Sequence, residues 1–427
     1  MKKTDLLVIG AGPAGLMAAI RAADLGLQVT ILESMPKPAR KLGISGKGRG
    51  NLTNTASFNE FLKHFNNDGR FLKSAFKAMF NTSLVDFFSS EGLQTVEERG
   101  GRVFVASGRA TEAVACLHRA VEKRNVQLLV GKAVSSLMIE KELCLGAVAG
   151  GKPYLAGATL LATGGLSYPA TGSTGDGINF ARACGHEIVT PLPALVALTP
   201  DIQLPECLKD VALRNVSAEL RINGKKAAAE FGEMAFLDGN LAGPIIITLS
   251  RAAVQALHHG SDCEIYVDLK PALDHAKLDR RILRDFEENH AGRLADVIAK
   301  LLPAGMRQFC LQQLNLNPAL KISQVTAEHR RLLRNWLKEL KFRISGHAPW
   351  EQAIVTAGGV STRQINQATM ESKLIKNLYF AGEIIDIDAD TGGYNLQAAF
   401  STGWLAGSAI AEAVKNKKAT TSAGTAV

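Results

Sequence analysis

The feature that most constrains this chain is a glycine-rich turn close to its N-terminus, Gly10-Ala-Gly12-Pro-Ala-Gly15. An apolar run, Asp5 to Ile9, precedes the turn, and a stretch rich in small residues, Leu16 to Leu25, follows it. A second β-branched run, residues 28–32, ends at Glu33. This order predicts a strand–helix–strand unit whose turn binds a dinucleotide.

Each position of the turn has a physical role in such a unit. Gly10 allows the tight turn, Gly12 allows a pyrophosphate to approach the backbone, and Gly15 allows helix and strand to pack closely. The helix that starts at Pro13 offers the unpaired N–H groups of its first turn, from Ala14 onward, to an anion. Glu33 is placed to accept hydrogen bonds from ribose hydroxyls, so the motif fits either FAD or NAD.

Two segments near the C-terminus favour FAD. Tyr379-Phe-Ala-Gly382-Glu383 predicts a strand that returns the chain to the ribityl part of a flavin. Thr391-Gly-Gly393-Tyr-Asn395 precedes a predicted helix from Asn395 to Ala406. The N-terminus of that helix would stabilise negative charge on a reduced flavin.

Three further segments are candidates for binding an anionic cofactor. The loop from Lys41 to Asn54 combines small residues with cations and amides. Thr163-Gly164-Gly165 directly follows a predicted strand, where the glycines permit close approach of a ligand. Residues 171–177 form either a second anion site or a helix cap made by Thr174 or Asp176.

Composition limits the other classes of function. The 427 residues suffice for two or three cores, and 6% aromatic residues argue against broad stacking surfaces for single-stranded nucleic acid. The formal net charge of +9 suits anionic ligands, but the cations are spread along the chain, which argues against nucleic acid as a partner. We expect a small-molecule substrate, and the pattern indicates no oligomeric state.

The cysteines and histidines predict no metal site. No pair of the six cysteines is spaced as Cys-x-x-Cys, and His258-His259 lacks neighbouring ligands at a suitable spacing. The pattern is typical of reduced thiols in a cytoplasmic protein. The N-terminus is unlike a signal peptide, and no apolar run is long enough to predict a membrane span.

The change of pattern along the chain predicts a nucleotide-binding domain split by an insert. We expect the first FAD-binding segment at 1–190, a β-rich insert at 191–270 and a helical insert at 271–340. The barrel edge and second FAD-binding segment follow at 341–415, and a disordered tail at 416–427. Within the first segment, Phe58 to Phe88 is predicted to be helical.

These motifs together resemble one family, the BaiN-like NAD(P)/FAD-dependent oxidoreductases, also described as aminoacetone-oxidase-like flavoproteins. Further carriers of the resemblance are Ala162 to Gly177, Thr356 to Val360 and Thr369 to Lys373. The resemblance implies an α/β fold: a two-dinucleotide-binding, glutathione-reductase-type FAD domain, split by an insert with a β-barrel part and a helical part.

The resemblance also implies which residues bind the cofactor. The positions carried over by motif are Gly10, Gly12, Gly15, Glu33, Lys41, Gly46, Arg49, Asn51, Thr163, Gly164, Gly382, Glu383, Gly393, Asn395 and Gln397. Val134 matches the position whose backbone meets adenine. Neighbouring positions predicted to join them are Pro13, Ala14, Ser34, Gly48, Thr53, Gly165, Asp386 and Tyr394. The family often has Cys where this chain has Gly50, so chemistry that needs a thiol beside the flavin is doubtful here.

The leading hypothesis is an enzyme that passes a hydride between an organic molecule and flavin N5, with NAD(P)H as a candidate transient donor. The insert would then cover the flavin ring and define the substrate pocket. The alternatives are a flavin-dependent RNA-modifying protein, suggested by Lys277 to Arg284, and a non-enzymatic flavin-binding sensor or assembly factor. No catalytic residue is assigned: Tyr168, Asp386, Tyr394 and His347 are unranked candidates for the proton donor.

Overall fold

The computed structural model describes residues 4–66 and 69–424, which fall into two compact units. One unit contains the residues up to Leu192 and those from Val355 onward; the other is Pro193–Ile354. The second unit extends to Ile354 because the chain that follows the barrel still forms hydrogen bonds within that unit. There Ala348 N–H donates to Ala197 O (2.9 Å), and Ile354 N–H donates to Leu195 O (3.3 Å).

The first unit is built on a mixed sheet. The strands of the first unit that begin before the second unit are, in chain order, β1 (Thr4–Ile9), β2 (Val29–Leu32), β3 (Asn51–Asn54), β4 (Thr95–Glu98), β5 (Arg102–Val105), β6 (Gln127–Leu129), β7 (Val134–Glu140), β8 (Leu143–Ala149), β9 (Lys152–Leu161) and β10 (Ile188–Ala194). The main sheet has the order β6-β2-β1-β9-β8-β7. Strands β6, β2, β1 and β9 run parallel, whereas β7, β8 and β9 form an antiparallel meander.

The first unit also contains helices between these strands. They are α1 (Pro13–Asp24), α2 (Arg40–Ile44), α3 (Phe58–Lys63), α4 (Lys73–Ala78), α5 (Asn81–Ser90), α6 (Ala110–Lys123) and α7 (Asp176–Ala183). Strand β1 is fully buried from Leu6 to Ile9, as expected of a parallel strand covered on both faces. The side chains that cover it come partly from α1, which is buried along most of its length.

The second unit combines a closed barrel with helices. The barrel has the order β11-β14-β13-β12-β15-β16. The strands are β11 (Leu198–Pro200), β12 (Ala212–Ile222), β13 (Lys225–Leu237), β14 (Asn240–Ala242), β15 (Cys263–Asp268) and β16 (Leu340–His347). The helices are α8 (Pro244–His258), α9 (His275–Glu288), α10 (Leu294–Leu301), α11 (Ala304–Gln313) and α12 (Ala327–Lys338). Both the barrel part and the helical part predicted for the insert are therefore present.

The chain then returns to the first unit through β17 (Val355–Val360), β18 (Leu378–Phe380) and α13 (Tyr394–Gly424). Strand β17 pairs with β10, and β18 pairs in parallel with β9. Helix α13 packs tightly on α1, since a Cβ added at Gly403 would lie 2.2 Å from Ala14 O. The two ends of the chain therefore build one nucleotide-binding layer.

Two helical predictions differ from the structure. Residues 58–88 form α3, α4 and α5 rather than one helix, because the chain after α3 pairs with another segment: Phe65 bridges Ala389. Helix α13 continues to Gly424, into the segment for which the sequence predicts disorder. The alanines there favour helix. Residues 425–427 of that predicted tail lie outside the described residues.

In the described part of the chain, no helix has both the length and the apolar character that a membrane span requires.

Candidate cofactor site

The glycine turn between β1 and α1 places its three glycines in different surroundings. A Cβ at Gly10 would lie 2.5 Å from Ala162 O, and one at Gly15 would lie 2.0 Å from Gly10 O. A Cβ at Gly12 would meet only Ala162 O, at 3.9 Å. Gly10 and Gly15 are thus needed for backbone packing, whereas Gly12 borders open space that a phosphate can approach.

The start of α1 is suited to an anion. Pro13 occupies the first turn of α1. The residue at the N-cap position is Gly12, which has no side chain to cap the helix. The first N–H groups of a helix have no partner within the helix, and together they carry a partial positive charge. A pyrophosphate at this point would satisfy them.

Glu33, at the end of β2, is held in place by backbone donors. Its carboxylate accepts hydrogen bonds from Ala11 N–H and Met35 N–H, both at 2.8 Å. Ser34 adds a longer one at 3.3 Å. A carboxylate has about four acceptor positions, so this one can still receive ribose hydroxyls. Lys132 N–H donates to Glu33 O (2.8 Å), which brings the chain before Val134 to the same end of the sheet.

The loop after α2 contains several left-handed glycines, Gly46, Gly48 and Gly50. A Cβ at Gly50 would lie 2.9 Å from Val105 Cγ2 and 3.1 Å from Ala110 Cα. Gly50, the position at which the family resemblance suggests Cys, is therefore packed too closely in this chain for a larger residue. Arg49 forms an ion pair with Glu98 and lies over the Phe104 ring at 4.4 Å, so its guanidinium is already engaged.

A charged network connects four distant segments of the first unit. Lys41 Nζ lies 2.5 Å from Glu383 Oε2 and 2.6 Å from Ser167 Oγ. Ser167 Oγ donates to Glu383 Oε1 (2.7 Å), and Thr356 N–H donates to the same oxygen (2.8 Å). The Thr356 hydroxyl accepts from Leu166 N–H at 2.8 Å.

Burial opposes ionisation of Glu383, but the Lys41 ammonium and the donors from Ser167 and Thr356 outweigh it and hold the pKa of Glu383 below its usual range. Both side chains of the ion pair remain about one quarter exposed, at 24% for Lys41 and 22% for Glu383. The site therefore contains a fixed charge pair that a bound molecule can still reach. Lys41 and Glu383 are among the residues predicted from the motifs. Ser167 and Thr356 are not among them, although both lie within motifs that carry the family resemblance.

The N-terminus of α13 lies against β3. A Cβ at Gly393 would lie 2.3 Å from Thr53 O, and Thr53 Oγ1 donates to Gln397 Oε1 at 2.6 Å. Gln397 is fully buried and also donates to Ser401, so its amide holds α13 to β3. Asn395 bonds the backbone of Ala389 at 2.9 and 2.8 Å and thereby orders the loop before the helix.

The remaining predicted residues lie around the same end of the sheet. Thr163 Oγ1 is buried and has no hydrogen-bond partner within the described residues. Gly164 and Gly382 have left-handed backbones, and a Cβ at Gly165 would lie 2.2 Å from Thr356 Oγ1. Asp386 N–H donates to Val360 O (3.0 Å). Gly12, the uncapped start of α1 and Thr163 together fit a dinucleotide such as FAD, which would occupy the open space and supply acceptors.

The proton-donor candidates are in different environments. Tyr168 has a left-handed backbone (φ 52°), which is unusual for a bulky residue, and it directly follows Ser167. Tyr394 is 5% exposed. His347 belongs to the second unit, at the end of β16, where its Nδ1 lies 2.9 Å from Ala348 O.

Fold and site together define a flavoprotein oxidoreductase of the two-dinucleotide-binding type. The model of the HI0933-like protein Rossmann domain family matches residues 4–409, and the chain belongs to that family. These findings confirm the predicted family resemblance, the split α/β fold and the class of FAD-dependent oxidoreductase.

Similar proteins cover nearly the whole chain. A 3-dehydro-bile acid delta(4,6)-reductase from Clostridium scindens is 28% identical over 95% of this chain and 98% of its own length. A ribosomal RNA dihydrouridine synthase from Escherichia coli is 28% identical over 95% of this chain and 97% of its own length. The structure of 3-ketosteroid delta1-dehydrogenase from Sterolibacterium denitrificans matches with a TM-score of 0.54 and 14% identity, covering 97% of this chain and 100% of that one. This last likeness shows the fold.

Proposed function

We propose that this protein uses FAD to reduce a carbon–carbon double bond conjugated with a carbonyl group in a small organic molecule, with NAD(P)H as the electron donor. The observation that carries the proposal is the cofactor site, in which an uncapped helix start, Glu33 and the Lys41–Glu383 pair suit FAD. FAD, when bound, supplies the hydride chemistry, and the protein supplies position and electrostatics.

The names of both relatives support this class of substrate. One describes reduction of an unsaturated, oxidised bile acid, and the other describes formation of dihydrouridine. Uridine and an unsaturated 3-oxo steroid share a ring double bond conjugated with a carbonyl group. A substrate of this kind accepts a hydride at the carbon β to the carbonyl and a proton at the α carbon.

The chain's own residues would prepare the site for this reaction. The start of α13 would stabilise negative charge on the cofactor, as helix N-termini do. The Lys41 ammonium, fixed by Ser167 and Glu383, provides a positive charge without needing to reorganise. The residues proposed to contact the cofactor remain those predicted from the motifs.

The test is anaerobic absorbance spectroscopy of the purified protein. We expect flavin bands that bleach on addition of NADPH or NADH and recover on addition of a 4-en-3-one steroid or another conjugated enone. Gly12→Glu protein, which should lack FAD, is the control. Bands that resist both nucleotides would contradict the proposed donor, and bleached protein that no enone reoxidises would contradict the substrate class.

A second candidate function is reduction of uridine within RNA. The net charge of +9 and the similarity to ribosomal RNA dihydrouridine synthases favour it. The basic stretch in α9 gives it little support, because its cations face carboxylates on the same helix or at its start. Arg281 lies 2.9 Å from Asp285, and Lys277 lies 3.6 Å from Asp274. For this reason we place the small-molecule substrate first.

Gel retardation with nuclease-treated protein distinguishes the two candidates. An RNA enzyme should retard ribosomal RNA fragments, with an affinity that falls steeply as salt rises. Absence of salt-dependent retardation, together with turnover of an enone, would support the small-molecule reductase.

A further inference from the structure

A histidine outside the predicted set lies within hydrogen-bond distance of a carboxylate close to the start of α13. His64 follows the last residue of α3, and its Nδ1 lies 3.0 Å from Asp390 Oδ2. Its ring stacks on Tyr394, with centroids 4.0 Å apart and planes 18° apart. The side chain is 30% exposed, and Nε2 has no hydrogen-bond partner within the described residues.

Backbone contacts fix this histidine to the loop that leads into α13. Asp390 N–H donates to His64 O (3.0 Å), and Asn66 N–H donates to Asp388 O (3.1 Å). Asn395, in the first turn of α13, bonds both Ala389 O and Asp390 O. The imidazole is therefore positioned by the same segment that forms the proposed flavin-binding helix start.

We propose that His64 is the proton donor of the reduction, with Asp390 as the residue that positions it. This inference rests on the proposed function. FAD, when bound and reduced, would supply the hydride, and hence two electrons, that the β carbon needs. His64 Nε2–H breaks as a C–H bond forms at the α carbon, and the neutral imidazole regains a proton from solvent. The substrate is reduced, the cofactor is oxidised, and charge and atoms balance.

The surroundings favour His64 over Tyr394 in this role. Burial, followed by the nearby carboxylates of Asp390 and Glu60, raises the pKa of Tyr394, so its phenol is a poor acid at neutral pH. The charged groups facing the imidazole are Asp390 from the loop and Glu60 from α3; Glu60 is also paired with Lys63 at 2.8 Å. The carboxylate of Asp388, in the same loop, accepts a hydrogen bond from the side-chain amide of Asn66. A nearby carboxylate that is hydrogen-bonded to an imidazole fixes the orientation of the ring.

The first experiment needs no substrate. Holoenzyme with ¹³C-labelled histidine is examined by NMR before and after photoreduction at constant pH, and the His64 signal is identified by its loss in His64→Asn or, if that variant does not fold, His64→Gln. We expect the His64 ring signal to move on reduction, whereas His118 should not respond. His118 is a matched control because it pairs with Glu122 on α6 at 3.5 Å. An unchanged His64 signal would overturn the proposal, whatever the substrate proves to be.

The second experiment measures the two half-reactions separately. His64→Asn should keep its FAD and its rate of reduction by the donor. Its rate of enone reduction should fall by about 100-fold, within the range expected for loss of a general acid. The pH profile of enone reduction should differ between the wild-type enzyme and His64→Asn. Asp390→Asn should show a smaller loss, and His118→Asn none.

Unchanged enone reduction in His64→Asn would refute the assignment while leaving the proposed function intact. Failure of every enone with the wild-type enzyme, combined with a responsive His64 signal, would refute the proposed substrate class and leave His64 beside the cofactor.

Discussion

Gly12 and Gly15 lie in the same turn but restrict substitution for different reasons. Gly12 has an ordinary extended backbone (φ −78°, ψ −178°), and an added Cβ meets nothing closer than 3.9 Å. We therefore expect Gly12→Glu to fold with nearly unchanged apoprotein stability but to lose FAD, because its side chain enters the space proposed for the pyrophosphate. Gly15→Ala, whose Cβ would lie 2.0 Å from Gly10 O, should instead destabilise the apoprotein by about 1–3 kcal/mol.

Urea unfolding of the apoproteins and flavin absorbance after reconstitution measure the two effects. Apoproteins are compared because bound FAD would itself stabilise the fold. A fully loaded Gly12→Glu protein would show that Gly12 does not border the cofactor.

At the scale of the single residue, the ionisation of Glu383 also leads to a prediction about how stability depends on pH. Its pKa is lowered in the folded state: burial acts against this, but Lys41 and the Ser167 and Thr356 donors prevail. A lowered pKa adds stability that is fully present above the ordinary value of 4.5 and is lost as pH falls through the lower folded value. Glu383→Gln should therefore cost about 1–3 kcal/mol at pH 7 and less below pH 4.5.

The measurement is urea unfolding of wild type and variant at pH 7 and pH 4. Glu112→Gln is a matched control, since Glu112 pairs with Arg109 at an exposed position where an ion pair contributes little. An equal difference between wild type and Glu383→Gln at both pH values would contradict the ionised, paired state of Glu383.

At the scale of elements, the close packing of α1 and α13 joins the two ends of the chain. Cβ atoms added at Gly403 and Gly407 would lie 2.2 Å from Ala14 O and 2.5 Å from Ala18 O. Gly403→Ala should push the helices apart and cost about 1–3 kcal/mol, despite the better helix propensity of alanine. Since Ala14 lies in the turn proposed to face the cofactor, FAD affinity should fall as well.

Gly43→Ala provides the comparison. Gly43 also lies in a helix, but an added Cβ would make only an ordinary contact of 3.8 Å with Val114 Cγ2. This variant should be neutral or slightly stabilising in urea unfolding. Equal stability of the two variants would mean that α1 and α13 can separate without loss.

At the scale of the whole molecule, the division into two compact units predicts that the first unit folds without the second. Leu192 and Val355, which flank the second unit, belong to the neighbouring strands β10 and β17, so a short Gly/Ser linker can replace residues 193–354. We expect the shortened chain to fold cooperatively and to bind FAD, because the predicted cofactor residues all lie in the first unit. Circular dichroism and flavin absorbance test this, and a shortened chain that folds but binds no FAD would show that residues 193–354 are needed for the site.

The sequence by itself determined the nucleotide-binding unit and its split. The turn from Gly10 to Gly15, the strands beside it and Glu33 lie within one short segment, where backbone preference and hydrophobic periodicity are local properties. The insert could be predicted for the same reason, since its hairpins and amphipathic helices each carry their own pattern. Local patterns selected the segments that contain Lys41 and Glu383, and the resemblance to a family then assigned these two residues to the cofactor.

Only the tertiary structure decided which polar groups meet. Lys41 contacts Ser167 and Glu383, which are 126 and 342 residues away in the chain, and His64 meets Asp390 across 326 residues. The bridge between Phe65 and Ala389 is another long-range pairing. It ends α3 at Lys63 and interrupts the segment 58–88, which is predicted to be helical. Such contacts form because the sheet brings distant parts of the chain together. The residues next to each partner in the sequence do not indicate which distant residue it will contact.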